Sequence, residues 1–90
     1  MKVVQSGIFS RTVKKLHKQE KSALDRAVRK IMANPEIGSL KTGDLAGVYV
    51  HKHKSNNVQY LLAYKYNDDE LILTLLALGT HENFYRDLKR

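Results

Sequence analysis

Residues 48–78 read VYVHKHKSNNVQYLLAYKYNDDELILTLLAL, and this stretch decides the fold. Val48 to Lys54 and Val58 to Tyr66 are rich in Val and Tyr and alternate in character with the two-residue period of a pleated strand. Ser55-Asn56-Asn57 between them has the residues of a tight hairpin turn. After a second turn at Asn67-Asp68-Asp69, Leu71 to Leu78 is apolar at seven of its eight positions. A strand without a polar side has to be buried on both faces.

Upstream the period is helical. Val3 and Val4 predict a short first strand that ends at Ser6-Gly7. Ile8, Phe9, Val13 and Leu16 then keep helical spacing, with Arg11, Lys14, Lys15 and Lys18 between them, and Ser10 is placed to cap this helix. Ala23, Leu24, Ala27, Val28 and Ile31 form the apolar face of a second helix, which Asn34-Pro35 stops because proline disfavours helical geometry in the residue before it. A junction near Lys18 to Glu20 makes the two an αα-hairpin whose apolar faces need a flat surface to cover. Glu36 to Gly47, with Gly38, Gly43 and Gly47 among polar residues, reads as an ordered connection. The tail from Thr80 to Arg90 predicts a short helix with Thr80 as its cap.

The order is therefore β-α-α-β-β-β with a terminal helix. The expected fold class is α+β: an N-terminal strand and a helical hairpin packed on a mainly antiparallel four-stranded sheet, closed by a short C-terminal helix. Ninety residues supply one hydrophobic core, so residues 1–90 are expected to be a single domain.

Sixteen Lys and Arg against nine Asp and Glu give a formal charge of +7, a large field for so small a chain. A polyanionic partner is expected, although surplus lysine also serves solubility alone. There is no cysteine, which removes disulfides, thiolate metal sites and cysteine nucleophiles. Met1 to Gln5 lacks the apolar stretch of a signal peptide, and no run approaches the roughly 18 apolar residues of a membrane span. The expected location is the cytoplasm, with no membrane partner.

Several stretches together resemble the RelE/ParE superfamily of bacterial toxins. They are the helical hairpin with Asn34-Pro35, the Leu45-Ala46-Gly47 approach to a strand, Val50-His51-Lys52-His53-Lys54 followed by Asn56-Asn57, and the closing Leu78-Gly79-Thr80-His81-Glu82-Asn83-Phe84-Tyr85. The strand motif and the segment from Gly79 to Lys89 are similar to the RelE-like branch. The resemblance implies a type II toxin neutralised by a cognate antitoxin encoded beside it, an acidic and partly disordered partner. In the RelE-like branch such toxins enter the ribosomal A site and cut messenger RNA without metal, the ribose 2′-oxygen attacking the adjacent phosphate. In the ParE branch the same fold poisons DNA gyrase, and fold alone does not choose.

Cleavage through the 2′-hydroxyl needs a group to accept its proton, charge to neutralise the phosphate, and a group to protonate the leaving 5′-oxygen. No carboxylate cluster of the kind magnesium needs is evident, so side chains are expected to act without metal or other cofactor. Lys52 and Lys54 share one side of their strand, roughly 7 Å apart at their bases, and align with paired lysines of RelE-like toxins. A solvated sheet edge accounts for such lysines equally well. His51 and His53 project from the other side if the strand is regular, and His53 enters as an RNA-contact candidate through a bulge that would bring it round. His81 is a candidate proton carrier, since an imidazole titrates near neutrality, and it corresponds approximately to an arginine of RelE-like toxins. Tyr85 matches their C-terminal tyrosine, which stacks on or activates the nucleotide beside the cut. Glu82 can orient an imidazole or simply suit a first helical turn. Arg86 and Lys89 complete the expected RNA contacts.

One departure stands out. RelE-like toxins place an arginine in the third strand, where this chain has Gln59, Tyr60 and Leu61, and no arginine occurs between Arg29 and Arg86. The readings left open are a ribosome-dependent endoribonuclease, a gyrase poison and a non-catalytic module that binds its antitoxin.

Overall fold

The computed structural model describes residues 1–80 and Phe84. Its elements follow the expected order: β1 (Lys2–Gln5), α1 (Gly7–Lys14), α2 (Lys18–Ala33), β2 (Ser39–Leu40), β3 (Tyr49–Ser55), β4 (Val58–Asn67) and β5 (Ile72–Thr80). They build one sheet in the order β1-β5-β4-β3-β2. Pairing is antiparallel except between β1 and β5, which run parallel with Val3 opposite Leu73 and Gln5 opposite Leu75. The α+β layout is as expected, and the sheet gains a fifth strand, the two-residue β2, from the connection Glu36 to Gly47. A strand of two residues leaves too little alternation to be seen in sequence. The expected C-terminal helix lies outside the described residues, apart from Phe84.

The hairpin turn is where the sequence places it. Ser55 pairs with Val58, and Asn56 and Asn57 both have positive φ, at 52° and 65°. This is the two-residue turn whose twist matches that of its strands, and asparagine tolerates its left-handed backbone.

Two helix boundaries differ from expectation. α1 starts four residues before the turn that Ser10 would cap, and its N-cap is Ser6. The Ser6 hydroxyl accepts from the Phe9 N–H (3.1 Å) and donates to the Leu76 carbonyl (2.6 Å), while the Ser6 N–H donates to the Leu75 carbonyl (2.9 Å). Anchorage on β5, a tertiary effect, chooses between the two serines; Ser10 lies inside the helix and donates to Gln5 Oε1. The helical junction is 15–17 rather than Lys18 to Glu20. Glu20 belongs to the first turn of α2, where its Oε1 accepts from the His17 N–H at 2.8 Å.

The helices cover one side of the sheet. Phe9, Leu24, Ala27 and Ile31 pack there on Leu62, Tyr64, Leu73, Leu75 and Leu78. On the other side Val48, Val50, Leu61, Ala63, Ala77 and Phe84 form a second, smaller cluster. β5 is therefore buried on both faces, as its composition requires, and it keeps both aligned through a bulge: Ala63 pairs with Ala77 but Tyr64 with Leu75, so Leu76 is the extra residue.

Tyr64 fixes the connection out of α2. Fully buried, it donates from its hydroxyl to the Pro35 carbonyl (2.6 Å) and accepts from the Gly38 N–H (3.0 Å). A Cβ at Gly38 would lie 2.8 Å from that hydroxyl oxygen and 3.0 Å from the Val50 carbonyl oxygen, so only glycine admits this approach.

Candidate functional site

β3 carries the candidate residues, and its register with β4 is unbroken from Tyr49 to Ser55. Without a bulge the side chains alternate strictly. Lys52 and Lys54 are exposed on the side away from the helices, beside the cluster that holds Val50, Leu61 and Phe84. Lys52 pairs with Leu61 and Lys54 with Gln59, while Leu61 pairs with Gly79 of β5. Gly79 keeps this face low beside Phe84, whose Cα would be 3.7 Å from a Cβ placed there. The result is two cations standing over an apolar floor. Gln59, one of the three residues standing where RelE-like toxins place an arginine, is the polar neighbour of Lys54.

His51 and His53 point to the helix side and stay there. Both are half-buried against α2. Burial lowers the pKa of His51 first and the charge of Lys30 second; for His53 burial leads, followed by the charges of His51 and Arg26. The His53 ring stacks on Tyr60 with centroids 5.6 Å apart, and its buried Nδ1 has no hydrogen-bond partner among the described residues. The turn into the lysine face that would join His53 to Lys52 and Lys54 is not made.

Tyr60 in turn donates to Glu20 Oε2. That bond is the chief cause of a raised Tyr60 pKa and a lowered Glu20 pKa, since it holds the proton on the phenol and the charge on the carboxylate. The pair ties the start of α2 to β4, a contact 40 residues apart that no local pattern announces.

His81, Glu82, Tyr85, Arg86 and Lys89 lie outside the described residues. Among Lys52, Lys54, Gln59, Leu61 and Gly79 there is neither carboxylate nor imidazole. These five can hold and neutralise an anion, and proton transfer has to come from elsewhere. No group of three or more His, Asp or Glu is placed to hold a metal among the described residues. Likewise none of the described helices is long and apolar enough to cross a membrane.

Residues 3–89 match the family model described as ParE-like toxin of type II bacterial toxin-antitoxin system. The chain belongs to this toxin family. No curated protein is a match in sequence. Solved structures share the toxin's fold at low identity. The intact E. coli RelBE toxin-antitoxin complex contains a chain with a TM-score of 0.72 and 18% identity, over 90% of this toxin and 96% of that chain. The RelBE2 toxin-antitoxin complex from Mycobacterium tuberculosis gives 0.74 and 18%, over 89% and 96%. A YoeB/ParE toxin from Agrobacterium tumefaciens gives 0.72 and 15%, over 90% and 99%. The toxin is thus a type II toxin of RelE/ParE architecture.

Arg26 and Lys30, two residues with no local signal of function, line the β3 edge with His51 and His53. The four-residue spacing of Lys18, Ser22, Arg26 and Lys30 was there to be read, but a charged row on an amphipathic helix usually faces only water.

Proposed function

We propose that this toxin is an endoribonuclease that acts on messenger RNA in the ribosomal A site, in the cytoplasm, and is held inactive by a cognate antitoxin. The observation that carries the reading is the pair Lys52 and Lys54, exposed together on the side of β3 away from the helices. Charge grows on a phosphodiester as the 2′-oxygen attacks it, and fixed cations there stabilise the transition state more than the ground state. In this mechanism His81 exchanges protons, accepting that of the 2′-hydroxyl or delivering one to the leaving 5′-oxygen as the P–O5′ bond breaks. Tyr85 stacks on or activates the nucleotide beside the cut. Arg86 adds positive charge, and Lys89 and His53 contact the RNA away from the cut. Phe84, the chain neighbour of Tyr85, is buried on the lysine side, which supports the grouping. The antitoxin partner is supported by the RelBE complexes among the structural neighbours.

The test is cleavage of a messenger RNA on purified, programmed ribosomes, with gyrase supercoiling assayed in parallel. The wild type should cut at the A site. Lys52→Ala and His81→Ala should each slow cutting by about 10²–10³-fold, the range for loss of a charge or proton-transfer group. A folded wild type that leaves the messenger intact but blocks supercoiling would replace this reading by the gyrase one, which the ParE-like description of the family model keeps as the second candidate.

A further inference from the structure

Lys18, Ser22, Arg26 and Lys30 recur every four residues on α2 and so form one row along it, spaced by about 6 Å. The row runs beside the outer edge of β3. There β2 pairs only with Tyr49 and Val50, so from His51 to Ser55 that edge carries no strand among the described residues. Two cavities lie between row and edge. One, of about 410 Å³, is lined by Lys18, Ser22, Arg26, Lys54 and Asn56 among others. The second, of about 190 Å³, has Arg26, Lys30, His51 and Lys52 around a floor of Ala23 and Ala27. Arg26 and Lys54 belong to both, which makes them one cleft.

Among the described residues no carboxylate lines this cleft. The ion pair between Arg29 and Asp25 lies outside it, and Lys18, Arg26, Lys30, Lys52 and Lys54 form none among the described residues. So many cations without a counter-charge repel one another, and a bound polyanion relieves that repulsion. The depressed proton affinities of His51 and His53, owed in part to Lys30 and Arg26, report the same positive field.

We propose that this cleft between α2 and the edge of β3 binds the phosphodiester backbone of a single nucleic-acid strand, with Arg26 at its centre. The two cavities together, about 410 and 190 Å³, are small beside a duplex and suit a single backbone. The helix cations of the row repeat at about 6 Å, comparable with successive phosphates. An acidic peptide added to the β3 edge would need pockets for alternate side chains, and a floor of two alanines offers none. Because Lys52 and Lys54 line the cleft at the β3 edge but project their side chains onto the open face, the bound strand continues over that edge toward them. That continuation rests on the nuclease reading, whereas binding in the cleft does not.

The experiment is fluorescence anisotropy of a labelled single-stranded 2′-O-methyl RNA, which has no 2′-hydroxyl to react, titrated with the full chain over a range of salt. Arg26→Glu should weaken binding by about tenfold or more and lower the salt slope by about 0.7, the value for one lost phosphate contact on a single strand. Arg26→Lys should retain most of the affinity. Lys2→Glu, with the same charge change on β1 at the far edge of the sheet, should stay within about twofold, because exposed charges a Debye length away are screened. Thermal unfolding of each variant verifies that it is folded. Equal losses in Arg26→Glu and Lys2→Glu would overturn the cleft in favour of net charge alone. Displacement of the RNA by poly-glutamate at equal charge concentration would overturn it in favour of an acidic peptide. No RNA cleavage enters this assay, so a toxin that fails on the ribosome can still bind here, and one that cuts on the ribosome can still fail here.

Discussion

On the helix side of β3, His51 and His53 lie half-buried, and His53 stacks on Tyr60. One residue along, on the opposite side, Lys52 and Lys54 stand in the open. The difference comes from what covers each side rather than from the strand itself. Two helices bring Phe9, Leu24 and Ile31 onto the first side, whereas the second holds a smaller cluster closed by Phe84. Packing energy is concentrated on the covered side. The open side can keep uncompensated charge at little cost because water still solvates it.

That division can be broken most sharply by a pair of substitutions on neighbouring strands. Leu62→Ala, in the covered core, should cost about 2–5 kcal/mol in chemical denaturation. Lys54→Gln, on the open face, should stay within about 0.5 kcal/mol. Similar losses in both would mean that the two faces share the burden of stability. A smaller effect belongs to Tyr64→Phe, which removes the hydroxyl shared by the Pro35 carbonyl and the Gly38 N–H. It should cost about 1–3 kcal/mol through the unpaired backbone groups, and it should speed hydrogen exchange at Gly38. Unchanged exchange there would show that the connection is held by packing alone.

The least effect is on pH dependence. His51 and His53 have folded pKa values below the ordinary 6.5, so the unfolded chain binds more protons than the folded one just below that pH. Their contribution to stability is therefore complete above about 6.5 and is lost as pH falls through the window beneath it. Around His53 stand His51, Arg26 and Lys54 as charges and the Tyr60 ring as its stacking partner. His53→Gln should flatten that acid-side decline in denaturation midpoint without altering the plateau slope above it. An equally steep decline in the variant would assign the effect to His51 or to the carboxylates.

The strands were legible because their period, turn residues and composition agree: VYVHKHK, the Asn56-Asn57 turn and LILTLLAL each point to one conformation. Lys52 and Lys54 followed from the same alternation. What was not legible depends on contacts between distant segments. Ser6 caps α1 because β5 holds it, and nothing local favours it over Ser10. β2 exists because Tyr64 and Gly38 bring the chain alongside β3. Arg26 reaches the β3 edge through the packing of α2, so the cationic cleft appears only when a helix row and a strand edge are seen together.

The parallel pairing of β1 with β5 also sets a schedule for folding. Ser6 bonds to Leu76, 70 residues later, so the first strand has no place in the sheet until almost the last one has been made. At about 5–20 residues per second of synthesis that is a wait of roughly 4–14 s, during which Val3 and Val4 lack their strand partner and Phe9 lacks the β5 part of its core. Closing so long a loop also has to precede the contacts that reward it, which slows the final step further. A chain still being translated therefore has no finished sheet until β5 has followed β4, and the floor of the lysine face at Leu61 and Gly79 is complete only then.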